Sequence, residues 1–132
     1  MAARIVRLGS ARAAGEGLRV GTVRRPPRGV PKAKFASENW YDVWFPVLAP
    51  SVETMKIGLA TTTAARWKTF VRRYRSEMAR PDAKHAIDLL AALSHDTNFS
   101  VGCYCEDESH CHRSVLRELL VAAGATIKET KR

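Results

Sequence analysis

Residues 98–123 constrain the fold more than any other stretch, because their hydrophobic period changes within a few positions. Apolar residues first occupy every second position, which is the pattern of a strand: Phe99, Val101, Cys103 and Cys105. Residues 106–109 are polar, and from position 111 onward apolar residues recur at the spacing of a helix. The stretch therefore predicts a strand, a short loop and an amphipathic helix that ends at Gly124.

The predicted helix begins at a group of reactive side chains. A helix that follows a strand through a short loop starts at the carboxyl edge of the sheet, where α/β folds bind ligands. Free N–H groups at Arg113 and Ser114 would attract an anion there, and the Arg113 guanidinium can contact phosphate or carboxylate. The same field lowers the pKa of a cysteine thiol. We therefore predict an anion-binding or catalytic pocket, with Cys111 as nucleophile and His112 or Glu106 as its proton-transfer partner.

Two other interpretations of the cysteines stay open. Four potential ligands of a tetrahedral metal ion lie close together in the sequence: Cys103, Cys105, Cys111 and His112. The single residue between the first two cysteines is fewer than the roughly two to four residues of ordinary zinc motifs. Alternatively, the strand cysteines are small core hydrophobes and only Arg113 binds a ligand. We predict no metal and no cofactor.

Shorter patterns place the remaining elements. Period-two alternation predicts strands over 4–8 and 18–23, and the last residues, 125–128, predict a short final strand. Apolar residues at helical spacing predict helices over 64–78 and 83–93. This order of elements predicts an α/β fold, specifically a single three-layer sandwich with a short, mainly parallel sheet flanked by helices.

Length and composition indicate one domain over residues 1–132, with 130–132 as a loose tail. No stretch approaches the roughly 18 apolar residues of a membrane span, and the first residues lack the apolar core of a signal peptide. Three cysteines are an odd number, and the spacing of Cys103 and Cys105 in a strand disfavours a disulfide, which favours a reducing compartment. We therefore predict a cytoplasmic protein that has no membrane partner.

The net charge of +9 is concentrated in the first quarter of the chain. Residues 1–34 contain nine Lys and Arg residues against Glu16 alone. Such a one-ended basic region favours polyanionic partners, although a solvated basic surface has the same composition. Three prolines stiffen the loop that carries Arg24, Arg25 and Arg28, so these arginines lose little entropy on binding. We predict that they contact a phosphate-bearing ligand, and the alternative is that they only face water.

An aromatic segment follows this loop at residues 35–51. Its rings lie close together in the sequence: Trp40, Tyr41, Trp44 and Phe45. We expect most of them in the core, because the basic residues lie in a separate segment. Stacking of these rings on nucleic-acid bases is the alternative.

Several of these motifs resemble the family catalogued as domain of unknown function 488. The triplet Cys111-His112-Arg113 resembles the Cys-His-Arg that opens the last main helix in that family. Residues 24–32, Arg-Arg-Pro-Pro-Arg-Gly-Val-Pro-Lys, resemble its Arg-Gly loop after an early strand.

Other residues are similar to the YeaO-like branch of the same family. They are Trp44, Ala49-Pro50-Ser51, and Phe70, Tyr74 and Glu77-Met78 of the predicted helix. The Cys-His-Arg triplet is more similar to other members. The resemblance covers residues 4–123 and implies an α/β fold without an established activity, so function is argued from the site.

The sequence as a whole predicts a domain that binds a phosphate-bearing ligand, a nucleotide or nucleic acid, between the Arg25/Arg28 loop and the start of the Cys111 helix. Thiol-dependent catalysis is an extension of this prediction. The alternative is a non-catalytic nucleic-acid-binding module that uses the basic first third of the chain and has structural cysteines.

Overall fold

Four parallel strands form the sheet in the computed structural model, which describes residues 1–59 and 63–129. They are β1 (Ala3–Arg7), β2 (Leu18–Gly21), β3 (Val43–Trp44) and β4 (Phe99–Cys103). Their order in the sheet is β1-β4-β2-β3, and each neighbouring pair is parallel. All five residues of β4 are buried, because this strand lies between β1 and β2. The predicted α/β fold with a short parallel sheet is confirmed.

Four α-helices accompany the sheet. They are α1 (Val52–Leu59), α2 (Ala64–Met78), α3 (Pro81–Leu93) and α4 (His112–Ala122). The Thr63 hydroxyl caps α2 by accepting from the Arg66 N–H at 3.2 Å. The helix α3 begins two residues before the predicted start, because proline is compatible with a first helical turn. Gly124, with φ of 98°, follows the end of α4 as predicted. The described part of the chain contains no helix long and apolar enough to cross a membrane.

One face of the sheet packs against the helices. Ile5, Val20 and Val101 form a single hydrophobic cluster with helix residues. The helix residues in this cluster include Phe70, Tyr74, Ile87, Leu116 and Leu120. Burying each such side chain contributes about 1.5–3 kcal/mol relative to exposure. The apolar stripes predicted for α2 and α4 therefore build this core.

Loops cover the opposite face of the sheet. Arg19 and Ser100 project from β2 and β4 onto the Glu16 carboxylate, which belongs to the loop after β1. A Cβ atom at Gly21 would lie 2.4 Å from the Tyr41 ring, so glycine lets this ring lie directly on the strand. The third layer of the sandwich therefore consists of loop segments rather than a helix.

Two strands near the end of the chain differ from the sequence prediction. The strand β4 ends at Cys103, so Cys105 lies in the following loop. The predicted last strand is reduced to one parallel bridge between Ala3 and Ile127. The predicted loose tail, residues 130–132, lies outside the described residues.

Candidate functional site

All three cysteines lie near the carboxyl edge of the sheet. The strand β4 ends at Cys103, and the chain continues through Cys105 and a short 3-10 helix at Glu108–His110. Cys111 follows this turn, and α4 begins at the next residue, His112. Loops that follow parallel strands at this edge are the usual ligand-binding region of open α/β sheets.

The sulfur and imidazole atoms form a compact cluster. Cys103 Sγ lies 3.8 Å from Cys105 Sγ, and Cys111 Sγ lies 3.8 Å from His112 Nδ1. Cys103, Cys111 and His112 are buried, whereas Cys105 is exposed, and all three cysteines are free thiols. A thiol in contact with an imidazole can pass its proton to that ring and become a nucleophile.

The backbone of Thr22 orients the imidazole. His112 Nε2 lies 2.8 Å from the Thr22 carbonyl oxygen, which can only accept a hydrogen bond. It also lies 3.3 Å from Thr22 Oγ1, whose hydroxyl donates to the Gly102 carbonyl at 3.0 Å. The proton of a neutral His112 must therefore sit on Nε2. This leaves the lone pair of Nδ1 facing Cys111.

Tyr74 supports the other side of the imidazole. Its ring centroid lies 5.4 Å from that of His112, and its hydroxyl donates to the Leu48 carbonyl at 2.7 Å. Burial, followed by the charges of nearby thiols, raises the pKa of Tyr74 well above 10.0, so the phenol stays neutral. Tyr74 therefore positions the histidine.

Cys111 is the thiol that ionises most readily. The neighbouring Cys103 and Cys105 thiols, together with His112, outweigh burial and lower the pKa of Cys111 below its ordinary value of 9.0. The pKa of Cys103 is raised, because its thiol hydrogen-bonds with Cys105 and Cys111 and is buried. At Cys105 the contact with Cys103 lowers the pKa, but the contact with Cys111 and burial outweigh it, so the pKa is raised. The cluster favours one thiolate, on Cys111.

Cys111 and His112 line a cavity of about 610 Å³. Its walls are mainly apolar or aromatic, with Pro26, Pro27, Met55, Phe70, Trp40 and Tyr104 among the lining residues. Arg24, Arg25 and Arg28 line the same cavity, so one space joins the proline-arginine loop to the cysteine cluster. The volume is within the range of roughly 300–1,000 Å³ that is typical of small-molecule sites.

The three arginines of this loop differ in their surroundings. The Arg24 guanidinium donates to the carbonyls of Pro46, Ala49 and Pro50 at 3.1–3.2 Å, so backbone oxygens occupy its donors. Arg25 and Arg28 are exposed, and their guanidinium groups have no hydrogen-bond or ion-pair partner among residues 1–59 and 63–129. An anion at the cavity therefore has two cations available to it.

Arg113 and Glu106 do not line this cavity. Arg113 is 3% exposed and donates to the Cys105 carbonyl at 2.5 Å. The Glu106 side chain is 83% exposed and lies 3.4 Å from Arg7. Both residues line a second cavity of about 510 Å³.

Ser114 contacts its own helix start. Its backbone N–H and its hydroxyl both donate to the Cys111 carbonyl, at 3.1 and 3.0 Å. The contacts predicted for Arg113 and Ser114 with an anion, and the proton-transfer role predicted for Glu106, stay predictions.

Much of the predicted basic region is internally neutralised. Arg19 is fully buried against Glu16, and Arg4 is 9% exposed. Arg12 forms an ion pair with Asp42, with N–O distances of 2.8 and 3.1 Å. Four cations of this region are exposed and have no side-chain partner in the described chain: Arg25, Arg28, Lys32 and Lys34. The cationic surface is therefore concentrated in the proline-rich loop and the residues after it.

The sequence interpretation did not assign Thr22 or Tyr104 to the site, and it expected Trp40 in the core, with stacking on bases as the alternative. Thr22 orients the histidine, while Trp40 and Tyr104 form part of the cavity wall. The position of Tyr104 between two site cysteines was a signal for its placement. Thr22 carries no comparable signal, because its position depends on contacts with distant segments.

The cluster could also hold a metal ion. One ligand atom from each of Cys103, Cys111 and His112 lies within 4.8 Å of the other two. Cys105, the fourth potential ligand, contacts Cys103 from the loop. Thiolate and imidazole donors of this kind suit zinc, and the hydrogen bond to Thr22 would orient His112 as a ligand.

The fold and the site define a small α/β protein with a thiol-imidazole cluster at the carboxyl edge of a parallel sheet. A family model described as DUF488-N3a, active DUF488-N3 subclade, matches residues 3–124. The chain therefore belongs to the DUF488 family, as its motifs predicted, and similarity to the YeaO-like branch stays a prediction. No curated protein and no solved structure matches the chain.

Proposed function

We propose that the protein is a thiol-dependent enzyme that binds a phosphate-bearing ligand between the Arg25/Arg28 loop and Cys111. The observation that carries the proposal is the shared cavity, which is lined by a Cys-His pair and by two exposed arginines. The description of the matching family model as an active subclade supports a working site.

In this proposal Cys111 is the nucleophile and His112 is its proton-transfer partner. The Cys111 proton moves to His112 Nδ1, while Nε2–H keeps its hydrogen bond to the Thr22 carbonyl. The resulting thiolate lies beside the Cys103 and Cys105 thiols, which lower the pKa of Cys111. These contacts favour the thiolate before a substrate arrives, which is the requirement for a cysteine nucleophile. Glu106 has no step in this scheme, because it lines the other cavity.

The phosphate group contacts the proline-arginine loop. Arg25 and Arg28 are exposed at the cavity, and the prolines between them restrict the loop. Tyr104 donates its hydroxyl to the Arg25 carbonyl at 2.9 Å, which ties the loop to the segment between the cysteines. A restrained guanidinium loses less entropy on binding an anion than one on a flexible loop.

Alkylation of the individual cysteines tests the proposal. We expect iodoacetamide at near-neutral pH to modify Cys111 about tenfold or more faster than Cys105, an exposed thiol with a raised pKa. Phosphate-bearing probes, namely ribose 5-phosphate, nucleoside monophosphates and a short single-stranded oligonucleotide, should slow the modification of Cys111. The rates are measured for each peptide by mass spectrometry.

Paired variants separate ligand binding from thiol activation. Arg25→Gln with Arg28→Gln should abolish protection by the probes while the rate without a probe stays the same. The matched control is Arg72→Gln, because Arg72 is exposed on α2 and does not line the cavity. A Cys111 modification rate that rises only as pH passes through 9.0, the ordinary pKa of a thiol, would overturn thiol-dependent catalysis. Protection that survives loss of both arginines would overturn the phosphate contact.

A further inference from the structure

We infer that the ligand of this cavity is an unpaired nucleotide, with its base inside against Trp40 and Tyr104 and its phosphate outside on Arg25 and Arg28. This inference rests on the proposed function and specifies its substrate class and orientation.

The burial of the lining residues fixes the orientation. Cys111 and His112, at the inner end of the cavity, are 2% and 5% exposed, whereas Arg25 and Arg28 are exposed. The third arginine of the loop, Arg24, has its donors occupied by three backbone carbonyls. In the described chain, the cations available to a phosphate therefore lie at the outer end of the cavity.

The chemistry of the inner end disfavours a phosphate there. Cys111 and His112 are buried, so a phosphate placed beside them would lose its hydration and would not reach the exposed guanidinium groups of Arg25 and Arg28. Phe70, which is 4% exposed, adds apolar surface there. A planar group of low charge fits this environment, and a nucleobase joins such a group to a phosphate through one sugar.

Trp40 and Tyr104 form a pre-organised aromatic wall for that base. Their ring centroids lie 5.9 Å apart in an edge-to-face arrangement. Trp40 packs closely over Gly9, where a Cβ atom would lie 3.0 Å from the indole ring. The Tyr104 hydroxyl donates a hydrogen bond to the Arg25 carbonyl, and this bond links the aromatic wall to the proline-arginine loop. Aromatic side chains fixed next to cations are the usual elements of single-stranded nucleic-acid sites.

Trp40 also has an unused donor. Its Nε1–H is buried and has no acceptor in the described part of the chain, although Trp40 lines the cavity. A buried N–H without an acceptor is unfavourable. In this orientation Cys111 faces the base and sugar rather than the phosphorus atom, which distinguishes the site from that of a phosphatase.

Titration calorimetry with matched probes tests the inference. Nucleoside monophosphates should bind about 5- to 160-fold more tightly than ribose 5-phosphate, which lacks the base. Trp40→Leu should remove most of this difference, and Trp40→Phe should keep it. Binding of ribose 5-phosphate should not change in either variant, which shows that the cavity is still folded. Arg25→Gln with Arg28→Gln should weaken binding of both probes.

The source of the nucleotide is distinguished by comparing a mononucleotide, a single-stranded tetranucleotide and a duplex of the same sequence. Tighter binding of the tetranucleotide assigns the site to an unpaired nucleotide in a strand, and equal binding assigns it to a free nucleotide. A duplex that binds as tightly as the single strand would overturn the inference, because a paired base cannot enter the cavity. Equal affinity for ribose 5-phosphate and the mononucleotides would also overturn it and would leave the proposed phosphate site intact.

Discussion

Replacing Arg19 by Met should destabilise the protein strongly, because it leaves the buried Glu16 carboxylate without its cation. Arg19 Nε and Nη2 donate to the two Glu16 oxygens at 2.8 and 3.0 Å, and neither side chain is more than 2% exposed. Arg19 Nη1 also donates to the carbonyls of Ser10 and Asn39, at 2.9 and 2.8 Å. These last contacts fix the segment that leads into Trp40, so the ion pair also supports the cavity wall.

The expected loss is about 3–5 kcal/mol of unfolding free energy, the cost of leaving one member of a buried pair uncompensated. Urea unfolding followed by tryptophan fluorescence should show a decrease of at least about 1 M in the midpoint. The double variant Glu16→Gln with Arg19→Met should be less destabilised than Arg19→Met alone, because no buried charge remains. An unchanged midpoint for Arg19→Met would refute the reasoning.

The same ion pair predicts a pH dependence. Burial by itself would raise the pKa of Glu16, but hydrogen bonds from Arg19, Ser100 and Ala13 outweigh burial and hold the pKa below 4.5. A lowered pKa stabilises the fold above the unfolded-state value, and this contribution is lost as pH falls through the folded-state value. In Arg19→Met the pKa of Glu16 rises, and the carboxyl group takes up a proton in mild acid. The stability difference between wild type and variant should therefore shrink below about pH 5.

Three further predictions concern the site and its support. Cys103→Ala removes the thiol that does most to lower the pKa of Cys111, so this pKa should rise toward 9.0 and alkylation should slow at about pH 6–7. An unchanged pH profile of the alkylation rate would contradict this. Tyr104→Phe removes the hydrogen bond to the Arg25 carbonyl and should weaken phosphate-probe binding by about 2- to 12-fold, measured by titration calorimetry. Unaltered affinity would show that this bond does not restrain the loop. Gly21→Ala places a Cβ atom 2.4 Å from the Tyr41 ring and should cost about 1–3 kcal/mol in urea unfolding. A variant as stable as wild type would show that Tyr41 moves freely.

The elements that position the site could be predicted because their signals are local. The alternating residues of β4 and the apolar stripe of α4 meet at a polar loop, and this change of period located the cysteine cluster. The prolines beside Arg25 and Arg28 marked a restrained loop. The prediction that this loop and Cys111 lie near each other agrees with the shared cavity.

The remaining features depend on contacts between distant residues. Thr22 orients His112 because β2 and β4 are neighbours, and the sequence separation of 90 positions leaves no local pattern. The local charge count assigns Arg19 to a basic surface. In the structure Arg19 is buried, where it pairs with the Glu16 carboxylate and donates to the distant carbonyls of Ser10 and Asn39. Arg113 follows the two site residues in sequence, yet its guanidinium contacts the Cys105 carbonyl and lines the other cavity.

The ionisation of Cys111 tests the central claim most directly. The far-ultraviolet absorbance of a thiolate can be followed against pH in wild type and in Cys111→Ser, and at near-neutral pH, where Cys103 and Cys105 stay protonated, their difference reports on Cys111. Absorbance does not require a reagent to enter the cavity, so burial cannot mask the result. We expect the Cys111 thiolate to be present already near neutral pH, because the Cys103 and Cys105 thiols and His112 lower the pKa of Cys111 below its ordinary value. A difference signal that appears only as pH rises through 9.0, the ordinary pKa of cysteine, would contradict the account.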